Sequence, residues 1–359
     1  MRFEDKYVVI MAGGIGSRVW PMSRKNTPKQ FQDVLGLGRT MIQQTFDRYK
    51  DYCPQENVYV VTTTSYVDQV KEQLPELSND QILGEPVGKN TAPCIAYAAH
   101  KINKKNPNAV MVVAPSDHLI VNTTEFVRCI ELGSEVAANE DVLLTIGIKP
   151  TRPDTGYGYV QFADQFKEEI HKVKTFTEKP VLDFAIAFVE SGEYLWNAGI
   201  FIWSSKAILR AFDHLLKDVN ELFKLGEEYY YTTSETKFLK ETYPQCKNIS
   251  IDYGVMEHAE NVYVIPGDFG WTDLGTWKAC YDVADKDKDE NVLYGEVMTY
   301  STSNCLIKAP KDKLVVAHGL DGYVVVDHEN VLLICKKEEE QKVKNFVADI
   351  KTKKLDKFY

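Results

Sequence analysis

Gly13, Gly14 and Gly16 follow directly on the apolar run Tyr7-Val8-Val9-Ile10, and Arg18 stands in the same loop. Such a run suits a buried parallel strand. Glycines at its end leave bare backbone amides where a phosphate can approach. Arg18 adds a permanent cation with a planar fork of donors, and Lys29, in Thr27-Pro28-Lys29-Gln30-Phe31, supplies a second. The loop matches neither common phosphate motif. A P-loop needs Gly-Lys-Ser/Thr after four intervening residues, and a dinucleotide fingerprint starting at Gly14 would need glycine where Val19 stands. The loop suits a nucleoside triphosphate lying under backbone and arginine together.

Gly13-Gly14-Ile15-Gly16-Ser17-Arg18 followed by Pro28-Lys29-Gln30-Phe31 resembles the signature of the sugar-phosphate nucleotidylyltransferases. Trp20-Pro21 and Ser23-Arg24 resemble the branch that joins GTP to mannose 1-phosphate. The likeness continues through Lys89-Asn90-Thr91-Ala92-Pro93, Pro115-Ser116-Asp117-His118, Gly156-Tyr157-Gly158-Tyr159, Glu178-Lys179-Pro180, Trp196-Asn197-Ala198-Gly199 and Gly270-Trp271-Thr272-Asp273-Leu274-Gly275-Thr276-Trp277. These blocks span most of the first 280 residues in the family's order. Ile15 and Ser17 depart from the usual loop, but neither side chain need touch phosphate.

The resemblance implies GTP and mannose 1-phosphate as substrates, GDP-mannose and pyrophosphate as products, and Mg²⁺ or a similar divalent cation as cofactor. It makes Arg18, Lys29, Asp117 and Lys179 the catalytic candidates. Asp117 and Asp273 become the metal pair. Taken alone, Asp117 serves equally as a turn former or helix cap and as a hard-oxygen ligand. The nucleotide is assigned to Ala12, Gly13, Gly14, Gly16, Ser17, Arg18, Glu85, Asn90, Thr91, Ala92, Pro115 and Asp117. Asn90 fits a helix N-cap equally well. The sugar phosphate is assigned to Gly156, Gly158, Tyr159, Glu178, Lys179, Asn197 and Gly199; a surface ion pair is the other reading of Glu178 and Lys179. His118 is expected to support its loop, and Trp196, Trp271 and Trp277 to pack. Two rivals remain. One is a guanylyltransferase for another sugar 1-phosphate, such as a manno-heptose. The other is a non-catalytic nucleotide-sensing subunit, which the presence of Arg18, Lys29, Asp117, Asp273 and Lys179 disfavours.

Positioning these residues requires a layered α/β fold. Val58–Val61, Val110–Ala114 and Val142–Ile146 read as buried strands, alternating with helices over Ser65–Leu74, Thr91–Lys104 and Thr124–Ala138, with Ser65 and Thr124 as N-caps. This predicts a Rossmann-like mixed, mostly parallel sheet with helices on both faces. The glycine loop and the Asp117 loop would then share one rim. Strands follow over Tyr157–Phe162, Ile170–Thr177 and Ala198–Trp203, a helix over Val181–Glu190, and a largely helical stretch from Ser204 to Tyr243 whose aromatics read as core. Asp285–Glu290 reads as a linker. It divides a catalytic domain over 1–285 from a small β-rich unit over 291–359, with strands at Leu314–Ala317, Tyr323–Asp327 and Val331–Cys335 and a charged closing helix over Lys336–Lys354. Longer relatives add an isomerase domain for which this chain has no room, so isomerase activity is not expected.

With 359 residues, 44% hydrophobic and 26% charged, the chain is composed as an ordinary globular protein. Its net charge of −10 disfavours non-specific binding to nucleic acid or anionic membranes. It also means that an anionic nucleotide must find its cations gathered locally. No signal region or apolar run of membrane-spanning length is present. The seven cysteines are scattered and lack metal-ligand spacing. A cytoplasmic location with reduced thiols is expected; a homo-oligomer is one option, and the sequence does not specify the oligomeric state.

Overall fold

The computed structural model describes the backbone of residues 1–359 and every side chain except that of Asp164. It forms two compact units: Met1–Gly13 with Phe46–Ser116 and Ile120–Trp271, and Gly14–Thr45 with Asp117–Leu119 and Thr272–Tyr359.

The first unit is built on nine strands: β1 Lys6–Met11, β2 Val58–Thr63, β3 Ile82–Glu85, β4 Val110–Pro115, β5 Leu143–Ile148, β6 Tyr159–Lys167, β7 Ile170–Thr177, β8 Tyr194–Ser204 and β9 Val262–Gly267. Their order is β3-β2-β1-β4-β8-β5-β9-β7-β6. β3, β2, β1 and β4 run parallel, as do β5 and β9. β8 enters antiparallel between β4 and β5. Met11 lies opposite Pro115, so β1 and β4 end at the same edge of the sheet.

Side chains alternate across the sheet. Val9, Met111, Val113, Phe201 and Trp203 face a core that includes helix Thr91–Lys105. The residues between them face the other way, toward helix Thr123–Asn139, which packs on β4, β5, β8 and β9. Helix Thr91–Lys105 is buried without a break from Ala92 to Ile102, because helices Ser205–Leu215 and Lys217–Lys224 cover it. Phe212, Phe223, Tyr230 and Tyr243 complete this core.

Two caps fall elsewhere than predicted. Asn122, not Thr124, caps helix Thr123–Asn139 by accepting from the Glu125 amide at 3.1 Å. Ser65 lies in a 3₁₀ turn, where its hydroxyl is 2.8 Å from that of Thr63. Asn90 is the N-cap of its helix, accepting from the Thr91 amide at 3.0 Å.

In the second unit the chain coils. Strands β10 Val292–Tyr294, β12 Leu306–Lys308 and β14 Tyr323–His328 stack in parallel, and β11 Val297–Tyr300 pairs in parallel with β13 Val315–His318. β15, Val331–Lys336, closes the coil antiparallel to β14. β10, β11 and β12 have only three or four residues each, too few for alternation to stand out in sequence. The stretch read as a linker is folded: Asp287 accepts from the Asn291 amide at 2.8 Å. Leu306, Val324, Val326 and Leu333 pack with Val19, Trp20, Met22 and Trp277 into one core. The closing segment is a 3₁₀ turn over Lys337–Lys342 and a helix over Val343–Thr352. Among the described residues, no helix is long and apolar enough to cross a membrane.

Candidate functional site

In the second unit the glycine loop folds back on the Lys29 segment. Gly16 has φ +72°, a left-handed conformation open to glycine, and a Cβ there would lie 2.7 Å from Lys29 Cβ. The Lys29 amide donates to Ile15 O at 3.1 Å, and Gln30 Nε2 donates to Gly14 O at 2.9 Å. Lys29 is 2% exposed. Its ammonium donates to Asp117 Oδ2 and Asp117 O, each at 2.9 Å, and to Asp273 O at 2.5 Å. All three of its protons are thereby directed at protein oxygens, and one buried cation ties the two predicted metal ligands together. Burial, the largest single influence, would raise the Asp117 pKa, but the Lys29 and His118 charges and the hydrogen bonds to this carboxyl together outweigh it and hold the group below its ordinary value.

Arg18 is the more open cation, with 38% of its side chain exposed and Nη2 3.8 Å from Asp273 Oδ2. It lies in the 3₁₀ turn Ser17–Val19. Just beyond that turn, Trp20 Nε1 donates to Phe358 O at 2.7 Å, and Trp20 O accepts from Trp277 Nε1 at 2.8 Å. Leu274, between Asp273 and Gly275, has φ +41°. That is an outlier for a bulky side chain, held in place by burial in the core.

In the first unit, Ala12 donates to Val61 O at 2.7 Å, and the Ser116 amide that follows Pro115 donates to Met11 O at 3.0 Å. Beneath Gly13 lies Glu85, whose Oε2 is 3.3 Å from where a Gly13 Cβ would stand. Glu85 Oε1 accepts a short hydrogen bond from the Tyr243 hydroxyl. Thr91 Oγ1 accepts from the Ile251 amide at 2.9 Å, and the Ala92 amide donates to Ile249 O at 3.1 Å. These bonds tie the start of helix Thr91–Lys105 to residues 249–251.

Burial pushes the Glu85 carboxyl up from 4.5 to about 7, against the Tyr243 hydrogen bond. The folded chain therefore holds this proton more tightly than the unfolded chain. The resulting stability is complete below the unfolded value and is lost as pH rises through 7. Relative to Glu85→Gln, the native protein is expected to lose about 1.4 kcal/mol per pH unit between about pH 4.5 and 7. Urea melts of both proteins across this range check it; parallel stability curves would contradict it.

A second group surrounds Gly158. Glu178 Oε2 lies only 2.4 Å from where a Gly158 Cβ would stand, so only glycine lets this carboxylate close over the backbone. Lys179, with φ +47°, pairs with Glu178 Oε1. The Glu178 amide donates to Glu257 Oε1 at 3.2 Å. Asn197, 8% exposed, donates its amide to Gly158 O at 2.8 Å. Its Oδ1 accepts from Thr145 Oγ1 at 2.8 Å and from the Gly199 amide at 3.1 Å, while its Nδ2 donates to Asp252 Oδ1 at 2.9 Å. Tyr159 is fully buried beside Trp196 and Ala185, and its hydroxyl accepts from the Asp154 amide at 2.9 Å. Asp154 Oδ1 in turn accepts from the Gly156 amide at 2.8 Å.

The structure thus gathers Arg18, Lys29, Asp117 and Asp273 in one unit. In the other it gathers Gly158, Glu178, Lys179, Asn197 and Gly199. It adds Tyr243 beside Glu85, and Asp252 with Thr145 around Asn197, none of which the sequence singled out. Asp252 opens a π-helical turn over Asp252–Met256, a feature with no local sequence signal.

Residues 7–290 match the family model described as nucleotidyl transferase. Residues 295–350 match that of the MannoseP isomerase/GMP-like beta-helix domain, which accords with the parallel coil. The chain is 36% identical over 351 residues to the mannose-1-phosphate guanylyltransferase RfbM of Salmonella typhimurium, covering 96% of this chain and 72% of that protein. It is likewise 36% identical over 355 residues to a mannose-1-phosphate guanylyltransferase of Klebsiella pneumoniae, covering 96% and 73%. Among solved structures, a Thermus thermophilus protein described as a mannose-1-phosphate geranyltransferase superposes with a TM-score of 0.88. It is 28% identical and covers 97% of this chain and 99% of its own. The glycine loop, the sheet that launches it and the coil that follows are therefore a shared inheritance, and the chain belongs to the nucleotidyl transferase family.

Proposed function

We propose that the protein is a mannose-1-phosphate guanylyltransferase, converting GTP and α-D-mannose 1-phosphate to GDP-mannose and pyrophosphate. The observation that carries this reading is the buried Lys29 ammonium bonded to both Asp117 and Asp273. The names of the two bacterial relatives support the substrate pair.

A phosphate oxygen of the sugar 1-phosphate attacks the α-phosphorus of GTP and forms a P–O bond. The bond from the α-phosphorus to the oxygen bridging to the β-phosphorus breaks, and pyrophosphate leaves with that electron pair. The nucleophile is anionic at neutral pH, since the second pKa of a phosphate monoester is about 6, so no general base is required. The obstacle is charge: two anions must meet while more charge gathers on the leaving group. Fixed cations and positioning overcome such a barrier. Arg18, with the amides of Gly13, Gly14, Gly16 and Ser17, is assigned to the triphosphate. Lys179 takes the sugar phosphate, Glu178 and Asn197 the sugar hydroxyls, and Glu85, Asn90 and Thr91 the guanosine.

The donor set fits a hard divalent cation. Asp117 and Asp273 offer carboxylate oxygens. That suits Mg²⁺, which binds through one or two carboxylates and completes its shell with substrate phosphates and water. Asp117 and Asp273 would hold it, and when bound it neutralises charge on the phosphates. Lys29 anchors the Asp117 carboxylate and the Asp273 backbone, and its charge favours the ionised form of Asp117.

The test is pyrophosphate release with GTP, ATP, UTP and dTTP, each crossed with several sugar 1-phosphates. GTP with mannose 1-phosphate is expected to turn over fastest. Faster turnover of dTTP with glucose 1-phosphate would overturn the assignment.

A further inference from the structure

We infer that Asp252 is a sugar-contacting, specificity-determining residue, and that it works as a pair with Asn197. The inference rests on the reading of the Gly158 group as a sugar 1-phosphate site.

Asn197 is more than nine-tenths buried, and the orientation of its amide is fixed from both ends. Its Oδ1 takes two donors, Thr145 Oγ1 and the Gly199 amide. Nδ2 must therefore point the other way, and one of its two protons goes to Asp252 Oδ1. The second proton has no acceptor among the described residues. Asp252 bonds to no other side chain among the described residues. The pair thus presents one N–H donor beside one carboxyl oxygen, at a spacing fixed by the bond between them.

A hydroxyl both donates and accepts. Two neighbouring hydroxyls on a pyranose ring satisfy the pair together, one accepting from Asn197 Nδ2 and the other donating to Asp252. The backbone supports this placement. Asp252 opens a π-helical turn, a distortion frequent at functional sites, and its segment is tied to the helix start at Thr91. The charged and polar side chains that act on Asp252 are Glu178 and Lys179 on the segment after β7 and Asn197 on β8. A ring held there would meet acceptors from two acids and a single ammonium for its phosphate. Because a site built around a hydrogen-bonded hydroxyl strongly rejects an analogue lacking it, Asp252 sets which sugar is accepted.

The test is steady-state kinetics of the full chain with mannose 1-phosphate and its 2-, 3-, 4- and 6-deoxy analogues. Asp252→Asn keeps an acceptor for Asn197 but replaces the free carboxyl oxygen with an amide. It is expected to raise the KM for mannose 1-phosphate roughly 10- to 100-fold and to leave the KM for GTP unchanged. One deoxy analogue is expected to be penalised in the native enzyme and no further penalised in the variant. Asp252→Ser, which removes the carboxylate and draws the remaining oxygen back by one bond, is held to the same pattern should the first variant melt early. Equal penalties for every analogue in native and variant enzymes, or a rise in the KM for GTP alone, would overturn the inference. Preference of the native enzyme for a different sugar 1-phosphate would instead overturn the mannose assignment, and the deoxy series of that sugar then tests Asp252.

Discussion

Replacing Asp117 with asparagine is expected to cut turnover by about three orders of magnitude or more. Asparagine has the same shape and keeps an oxygen for the Lys29 ammonium, which still bonds to the backbone oxygens of Asp117 and Asp273. The negative charge is what disappears. One of the two carboxylates proposed to hold a divalent cation is gone, and the buried Lys29 loses its carboxylate partner. Some stability is lost with that partner, so turnover has to be compared well below the variant's melting temperature. Titration with Mn²⁺ gives a readout independent of turnover: the native protein should bind it and Asp117→Asn should bind it at least about tenfold more weakly. Excess chelator should abolish activity in the native enzyme. Full activity under chelation, or native turnover in the variant, would refute the metal assignment.

Arg18→Ala should lower kcat by about 2–4 kcal/mol in barrier terms. Arg18 is partly exposed and bonded only loosely to Asp273, so its fork can turn to an incoming polyphosphate. Charge grows on pyrophosphate as it departs, and a cation that meets this growing charge acts on kcat. Lys179 is assigned to a phosphate charged both before and during reaction. Lys179→Ala should therefore raise the KM for the sugar phosphate and leave that for GTP nearly unchanged. Arg18→Lys should restore part of the loss, since an ammonium cannot reproduce the planar fork. Kinetics with each substrate varied in turn decide between these outcomes. A Lys179→Ala enzyme with a raised KM for GTP alone would end this division of labour.

The strands that launch the glycine loop and Asp117 were legible because each is a short, wholly apolar run ending in turn residues. Their parallel pairing, Met11 against Pro115, follows the strand–helix alternation. The candidate site residues stand in recognisable motifs, but their bonding could not be read from sequence. Lys29 reads in sequence as a cation open to phosphate. In the fold, the left-handed turn at Gly16 brings the loop back over it, and all three of its protons meet Asp117 and Asp273. Asp252 left no trace, because a π-turn has no local propensity and its partner Asn197 lies 55 residues away. The first strands of the parallel coil were missed because a three-residue strand is defined by the strand stacked on it.

Lys29 also sets a constraint on how this chain comes off the ribosome. Asp117 emerges 88 residues after the lysine, and Asp273 only 244 residues after it. At a synthesis rate of about 5–20 residues per second, the lysine waits roughly 12–50 seconds for its last acceptor. Trp20 waits longer still, since its partner Phe358 lies 338 residues downstream. During that interval the glycine loop has its local bonds to Lys29 and Gln30 but not the distal acceptors of the Lys29 ammonium. The Trp20 indole therefore lacks this acceptor until Phe358 is translated.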